Sequence, residues 1–225
     1  MIVAQVVKDG LVLAGDSAVT KVKIKADGTP DLSSISIRND AIKVFVGGNG
    51  DFAFAVGGEG EIGTKKVSEV ILAAASNTAG DICKPVVDAV KDCLSNHVKT
   101  GPWDTPEQAV EFEQRVMVYL FLAVAPTSFW NIAISALGEV ITSQKHPGDT
   151  PHLYPPPPNP PHEQTRTSAH IYSIITDGNP EALDTITKQT LNGFRFASGI
   201  SDQCRFPVRI CTWPVGSTPK LTTIL

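Results

Sequence analysis

The sequence predicts an α+β chain, because strand-forming segments come first, two helical segments follow, and strand-forming segments return before a short helix and two closing strands. Three observations carry this. Asp9-Gly10 stands between two apolar runs, where both residues tolerate the positive φ of a hairpin turn. Apolar residues recur at helical spacing in Glu61 to Ser76 and again in Asp81 to Val98. Arg115 to Val124 is a nearly unbroken apolar run, the signature of a strand covered on both faces.

The elements are predicted in order from the same signals. Ile2 to Val7 and Leu11 to Gly15 form the first hairpin, and residues 17–40 form an elaborated surface loop in which Lys21 to Lys25 alternates like an exposed edge ribbon. Ala41 to Val46 and Asp51 to Val56 form a second hairpin around Gly47-Gly48-Asn49-Gly50. The helix from Glu61 carries Val67, Val70, Ile71 and Ala74 on one face; the helix from Asp81 carries Ile82, Val86, Val90 and Leu94, with Asp81 as N-cap and Gly101-Pro102 as stop. Trp130 to Ala136 and Glu139 to Thr142 pair around Leu137-Gly138. His146 to Ser168 is proline-rich and poor in apolar anchors, which favours a solvated polyproline loop. Ala169 to Ile175 reads as a strand, Asp177-Gly178 as a turn, Glu181 to Leu191 as a short helix, and Val208 to Trp213 with Lys220 to Leu225 as the last strands.

Composition narrows the function. At 225 residues, with 42% apolar and 19% charged residues, the chain is expected to form one domain, 1–225. A net charge of −4 without a Lys/Arg stripe argues against nucleic acid as a partner. Lys8 and Asp9 interrupt any signal-peptide core and no run reaches membrane-spanning length, so a cytoplasmic protein with no membrane partner is expected. Cys83, Cys93, Cys204 and Cys211 show no metal-ligand spacing and are expected to be reduced thiols. His146, His152, His162 and His170 lack the fixed spacing and supporting acids of a metal site, so no metal and no cofactor are expected. The Pro155 to Pro158 run reads as a spacer or as a ligand for an aromatic groove.

Lys8-Asp9-Gly10, the strand Leu11 to Gly15 ending at Asp16, Thr20, Lys43 and Gly57-Gly58-Glu59-Gly60 follow one another in an order that resembles the opening of a proteasome β-type subunit, a bacterial proteasome-like member of the N-terminal-nucleophile (Ntn) hydrolase superfamily. The likeness runs from Lys8 to Gly60. Ser173 to Gly178 and Phe196-Ala197-Ser198-Gly199 resemble later segments of the same family, whereas its third long helix is not evident and the proline-rich insert has no counterpart. The resemblance implies a four-layer αββα sandwich, self-association or assembly with homologous subunits into a ring, and hydrolysis of a peptide substrate by an N-terminal threonine. It further implies that Asp16 orients Lys43, that Lys43 tunes the reaction centre by its charge, and that Gly57 offers a backbone N–H to the oxyanion. Thr20 and Gly57 would hold the substrate backbone, and Ser198 would join the catalytic set.

The same comparison exposes a gap. Counted back from Gly10 and Asp16, the nucleophile is expected just before Met1, and no residue stands there. Neither the thioether of Met1 nor Ile2 behind it carries a proton that a base could remove. The nucleophile is lost, altered, or displaced by a register shift of a residue or more. Bland readings stay open beside the catalytic ones: a structural ion pair for Asp16 and Lys43, a tight turn for Gly57 and Gly60, and a turn residue rather than a substitute nucleophile for Ser17. Three functions follow: an active peptide hydrolase, a catalytically silent ring-forming subunit, or an amidohydrolase for a non-protein amide.

Overall fold

The computed structural model describes residues 1–24, 30–78, 80–138, 140–154, 171–174, 182–201 and 204–225. The chain enters through β1 (Ile2–Val7) and β2 (Gly10–Gly15), the predicted hairpin, but its turn is Lys8-Asp9 rather than Asp9-Gly10, since Gly10 already pairs with Val7 as the first residue of β2. β3 (Val19–Ile24) and β4 (Pro30–Arg38) pair as a ribbon where a surface loop was expected. β5 (Val44–Val46) and β6 (Ala53–Gly58) form the next hairpin. Residues predicted to begin the first helix instead make the small ribbon β7 (Glu61–Ile62) and β8 (Lys65–Lys66), because Gly63 at φ +62° turns the chain back.

Three helices follow: α1 (Val67–Ser76), α2 (Cys83–Thr100) and α3 (Pro106–Arg115). Ile82, not the expected Asp81, is the N-cap residue of α2; Asp81 stands one position earlier, its Oδ1 accepting the Cys83 N–H at 2.9 Å. α3 has no apolar stripe to announce it, since none of its residues is buried. Next come β9 (Met117–Ala125), β10 (Ser128–Ser135), β11 (Val140–Lys145) and β12 (His152–Tyr154). β12 falls inside the segment read as a polyproline loop; three residues are too few to show a period.

The strand expected over Ala169 to Ile175 is helical at 171–174, and Asp177-Gly178 lies outside the described residues. The short helix expected from Glu181 is α4 (Leu183–Ile200), longer because Leu183, Ile186, Thr190, Gly193, Phe194 and Ala197 are buried along one face to its end. Gly193 belongs to that face because a side chain there would press on Ile171. β13 (Val208–Pro214) and β14 (Lys220–Ile224) close the chain.

One sheet has the order β12-β1-β2-β13-β14 and the other β11-β10-β9-β6-β5, every pairing antiparallel. Alternation along β1 explains why the whole strand is buried. Ile2, Ala4 and Val6 point between the sheets to meet Ala53, Ala55, Phe121 and Phe129, while Val3 and Val7 pack with Ile186 and Phe194 of α4. On the far side of the second sheet, Phe54, Leu120, Leu122 and Ile132 pack against Ile71, Val86, Val90 and Leu94 of α1 and α2. Burying each such side chain contributes roughly 1.5–3 kcal/mol against exposure. No described helix is long and apolar enough to cross a membrane.

The expected four-layer αββα sandwich of the Ntn-hydrolase type is corrected to a mixed α/β fold with antiparallel sheets. β3, β4, β7 and β8 belong to neither large sheet, and α3 buries no residue and so completes no layer. The helix cover is also unequal. Two buried helices lie on one sheet, whereas α4 and the turn at 171–174 lie on the other among the described residues.

Candidate functional site

The β1-β2 hairpin sets Gly15 opposite Ile2, so the next residue on each side, Asp16 and Met1, meet at its open end. Asp16 N–H donates to the Met1 carbonyl at 3.1 Å. Lys43, just before β5, reaches the same point because residue 15 is glycine; a Cβ there would lie 3.1 Å from that of Lys43. Sequence-distant residues 1, 16 and 43 thus converge.

Asp16 is fully buried and accepts on both oxygens. Its Oδ1 takes the Met1 α-amine and, at 2.5 Å, the Lys43 Nζ; its Oδ2 takes the Arg205 N–H at 3.3 Å. Lys43 Nζ also donates to the Ala18 carbonyl at 2.5 Å. A carboxylate sealed from water persists only with such partners, and here two nitrogens share one oxygen. Burial and then the Lys43 charge lower the α-amine from 8.0 to about 5, while the Asp16 charge works in the opposite direction. The amine is therefore a free base at neutral pH, with a lone pair beside a cation and a carboxylate.

Two further segments close around this centre. Ser17 donates through both N–H and Oγ to the Arg205 carbonyl, at 3.1 and 3.2 Å, so its hydroxyl is a tie to the 204–207 loop. Cys204 lies in the same loop, its thiol directed to the Phe194 carbonyl at 3.7 Å. Burial first, and then the Asp16 charge, push that thiol up to about 12, which keeps it a thiol.

Gly57 follows Val56, whose N–H donates to the Lys43 carbonyl at 2.9 Å, so the glycine backbone is next to the cluster. Its missing side chain has a steric cause: a Cβ would sit 2.4 Å from Cδ1 of Tyr154. Tyr154 pairs with Ile2 and stacks on Tyr119 at 4.4 Å between ring centroids. Burial, followed by Tyr119 and Glu59, pushes its phenol up to about 12. Gly60 accepts the Val67 N–H at 2.9 Å, at the start of α1.

Asp16, Lys43 and Gly57 are therefore brought together, with Met1 added by the fold. Thr20 lies on β3 opposite Ile37, its side chain outside the described residues. Ser198 is on α4, and its hydroxyl donates to the Arg195 carbonyl at 2.9 Å rather than to Asp16 or Lys43. The sequence reading missed Arg205, Cys204 and Tyr154. Arg205 acts through its backbone, which no residue identity reveals, and Tyr154 is set by a three-residue strand. Among the described residues no group of three His, Cys, Asp or Glu gathers as metal ligands; His152 faces Asn131 at 3.1 Å, and His162 and His170 lie outside the described residues.

No protein-family model and no curated protein matches the chain. Solved structures do. Anbu from Hyphomicrobium sp. strain MC1 matches at 14% identity with a TM-score of 0.55, and Anbu (ancestral beta-subunit) from Yersinia bercovieri at 13% and 0.57. The structure of the helical assembly of the Anbu complex from Pseudomonas aeruginosa matches at 15% and 0.60. Each match covers 99% of this chain and 86% of the other. The expected family, a proteasome β-type subunit, is corrected by these matches, because Anbu is a distinct proteasome-like family and no sequence match supports a proteasome subunit. At such identities the likeness is one of fold, and the chain folds as the Anbu structures do.

Proposed function

We propose that the chain is a catalytically silent, self-assembling subunit of a proteasome-like assembly. One observation carries the silent part: the residue whose α-amine meets Asp16 beside Lys43 is Met1, whose own side chain is a thioether packed in the apolar core, with no proton to give and no anion to form. The fold-level match to Anbu over almost the whole chain supports the assembly part, one of those structures being a helical assembly. The experiment is light scattering on the full chain across a range of concentrations, alongside intact-mass determination of the first residue of the native protein. Assembly by a Met-initiated chain that hydrolyses no peptide supports the reading; a stable monomer at high concentration overturns it.

A second reading, an amide hydrolase whose nucleophile is supplied at the first position, rests on the free-base amine, Asp16, Lys43 and Gly57 lying together. Native protein whose first residue is threonine, serine or cysteine, with peptidase activity, supports that reading instead.

A further inference from the structure

β12 is the outer edge of the first sheet and is held there by three residue pairs with β1: Ile2 opposite Tyr154, Val3 opposite Leu153 and Ala4 opposite His152. Pro151 before it and Pro155 after it in the sequence carry no N–H with which to extend a ladder. This short strand nevertheless covers the Met1–Asp16–Lys43 centre. The Tyr154 ring lies so close over Gly57 that a Cβ there would stand 2.4 Å from Cδ1, and it stacks on Tyr119 at 4.4 Å between centroids. Its partner Ile2 is the residue next to Met1.

A polar contact across the sheets seats the strand. His152 is opposite Ala4, on the face that looks between the sheets, and Asn131 of β10 shares that face with Phe129 two residues away. Asn131 Nδ2 and His152 Nδ1 are 3.1 Å apart, and the Phe129 ring meets the imidazole edge-on at 6.1 Å between centroids. An uncharged ring offers Nδ1 as acceptor for that amide. Three titratable groups surround it. Lys145 of β11 is opposite Phe129 and so on the same face. Asp149 is in the turn after β11, where its Oδ2 already accepts the His146 N–H at 2.9 Å, and His146 itself is exposed. Burial first, and then Lys145, lower the His152 pKa, with Asp149 working the other way.

A charged ring fits this seat badly. Asn131 can turn its amide oxygen toward it, but that restores neither the lost hydration nor the balance against Lys145. Moving out to water with β12 relieves both. We propose that β12 is a strap over the Met1–Asp16–Lys43 centre, seated by the uncharged His152 ring on Asn131 and lifted when that ring takes a proton, which carries Tyr154 off Gly57. The release requires neither assembly nor a nucleophile, so it holds under either reading of the function.

Amide hydrogen exchange of the full chain, read by mass spectrometry at about pH 7.5 and about pH 5.5 and corrected for the intrinsic effect of pH, tests it. A free imidazole titrates near 6.5, so the population with β12 lifted rises by up to about tenfold between the two conditions, while β10 keeps its protection. His152→Gln keeps a partner for Asn131 and cannot titrate, so its β12 stays protected at both pH values. Asn131→Ala exposes β12 at both, and Lys145→Gln shrinks the acid effect. Exchange in wild-type β12 that does not respond to pH overturns the strap, as does an acid effect of the same size in His152→Gln, which assigns it to the α-amine. Equal loss of protection in β10 and β12 marks global unfolding and also overturns it. Where His152→Gln does not fold, Lys145→Gln decides: an undiminished acid effect there overturns the proposal.

Discussion

Lys43 and Asp16 form an ion pair, Nζ to Oδ1 at 2.5 Å, in which the carboxylate is fully buried and the ammonium is also held by the Ala18 carbonyl. Twenty-seven residues apart in the chain, they meet because a hairpin end and the start of β5 are brought together across Gly15.

Removing the carboxylate strands two nitrogens and the Arg205 N–H. Asp16→Ala is expected to lower unfolding free energy by about 3–5 kcal/mol, the range for breaking a buried charge pair, as read by urea denaturation. Asp16→Asn, which keeps acceptor capacity on one atom, is expected to cost less. An Asp16→Ala protein as stable as wild type would contradict the buried network.

The α-amine links stability to pH. Its folded value, about 5, lies below its unfolded value of 8.0, so between those limits the unfolded chain holds the proton that the folded chain does not. Stability is fully present above pH 8 and falls as pH drops toward 5, by a limit on the order of 4 kcal/mol for a shift of this size. His152, which burial also lowers, adds a drop of the same sign below its usual range. Lys43→Gln removes the second cause of the amine shift, so its stability profile between pH 5 and 8 is expected to be shallower than wild type. Equal slopes would detach the amine from the effect.

Gly57 is required by Tyr154. Gly57→Ala forces a methyl to within 2.4 Å of the tyrosine ring and is expected to cost about 1–3 kcal/mol by overpacking. In a Tyr154→Ala background the same change no longer meets the tyrosine ring, its nearest obstacle, and its cost is expected to shrink. Thermal melts of the four proteins give the coupling; additive losses would rule out the contact as the cause.

The last prediction concerns the empty role at the first position. A Met1→Thr chain, released with threonine as its first residue, gains a hydroxyl next to a free-base amine, Asp16 and Lys43. Turnover of fluorogenic peptide amides is expected above the wild-type background and is lost on adding Lys43→Ala. With no turnover in Met1→Thr, Asp16 and Lys43 are a structural pair and nothing more.

Much of the architecture is visible in residue patterns, for reasons of period and turn chemistry. The two apolar runs on either side of Lys8-Asp9 showed the first hairpin, though one residue off in its turn; the stripes through Val86, Val90 and Leu94 showed α2 and the apolar run to Val124 showed β9, each being a local property. α3, β12 and the second half of α4 were hidden because one has no fully buried residue, one is three residues long, and one carries Thr190 and Gly193 on its buried face. For the site, Asp16, Lys43 and Gly57 were legible as an ordered set of residue types. Arg205, Cys204 and Tyr154 were not, since they arrive from strands and loops far along the chain.

The sequence by itself determined which residue types are available: a carboxylate, a lysine and a glycine in order, and a thioether at position one. Only the tertiary structure decided that the Met1 backbone meets Asp16 beside Lys43, because hairpin register, not counting along the chain, sets which backbone atoms face each other. It also decided that the amine loses its proton. That shift requires exclusion of water by elements from both ends of the chain, which no local pattern encodes.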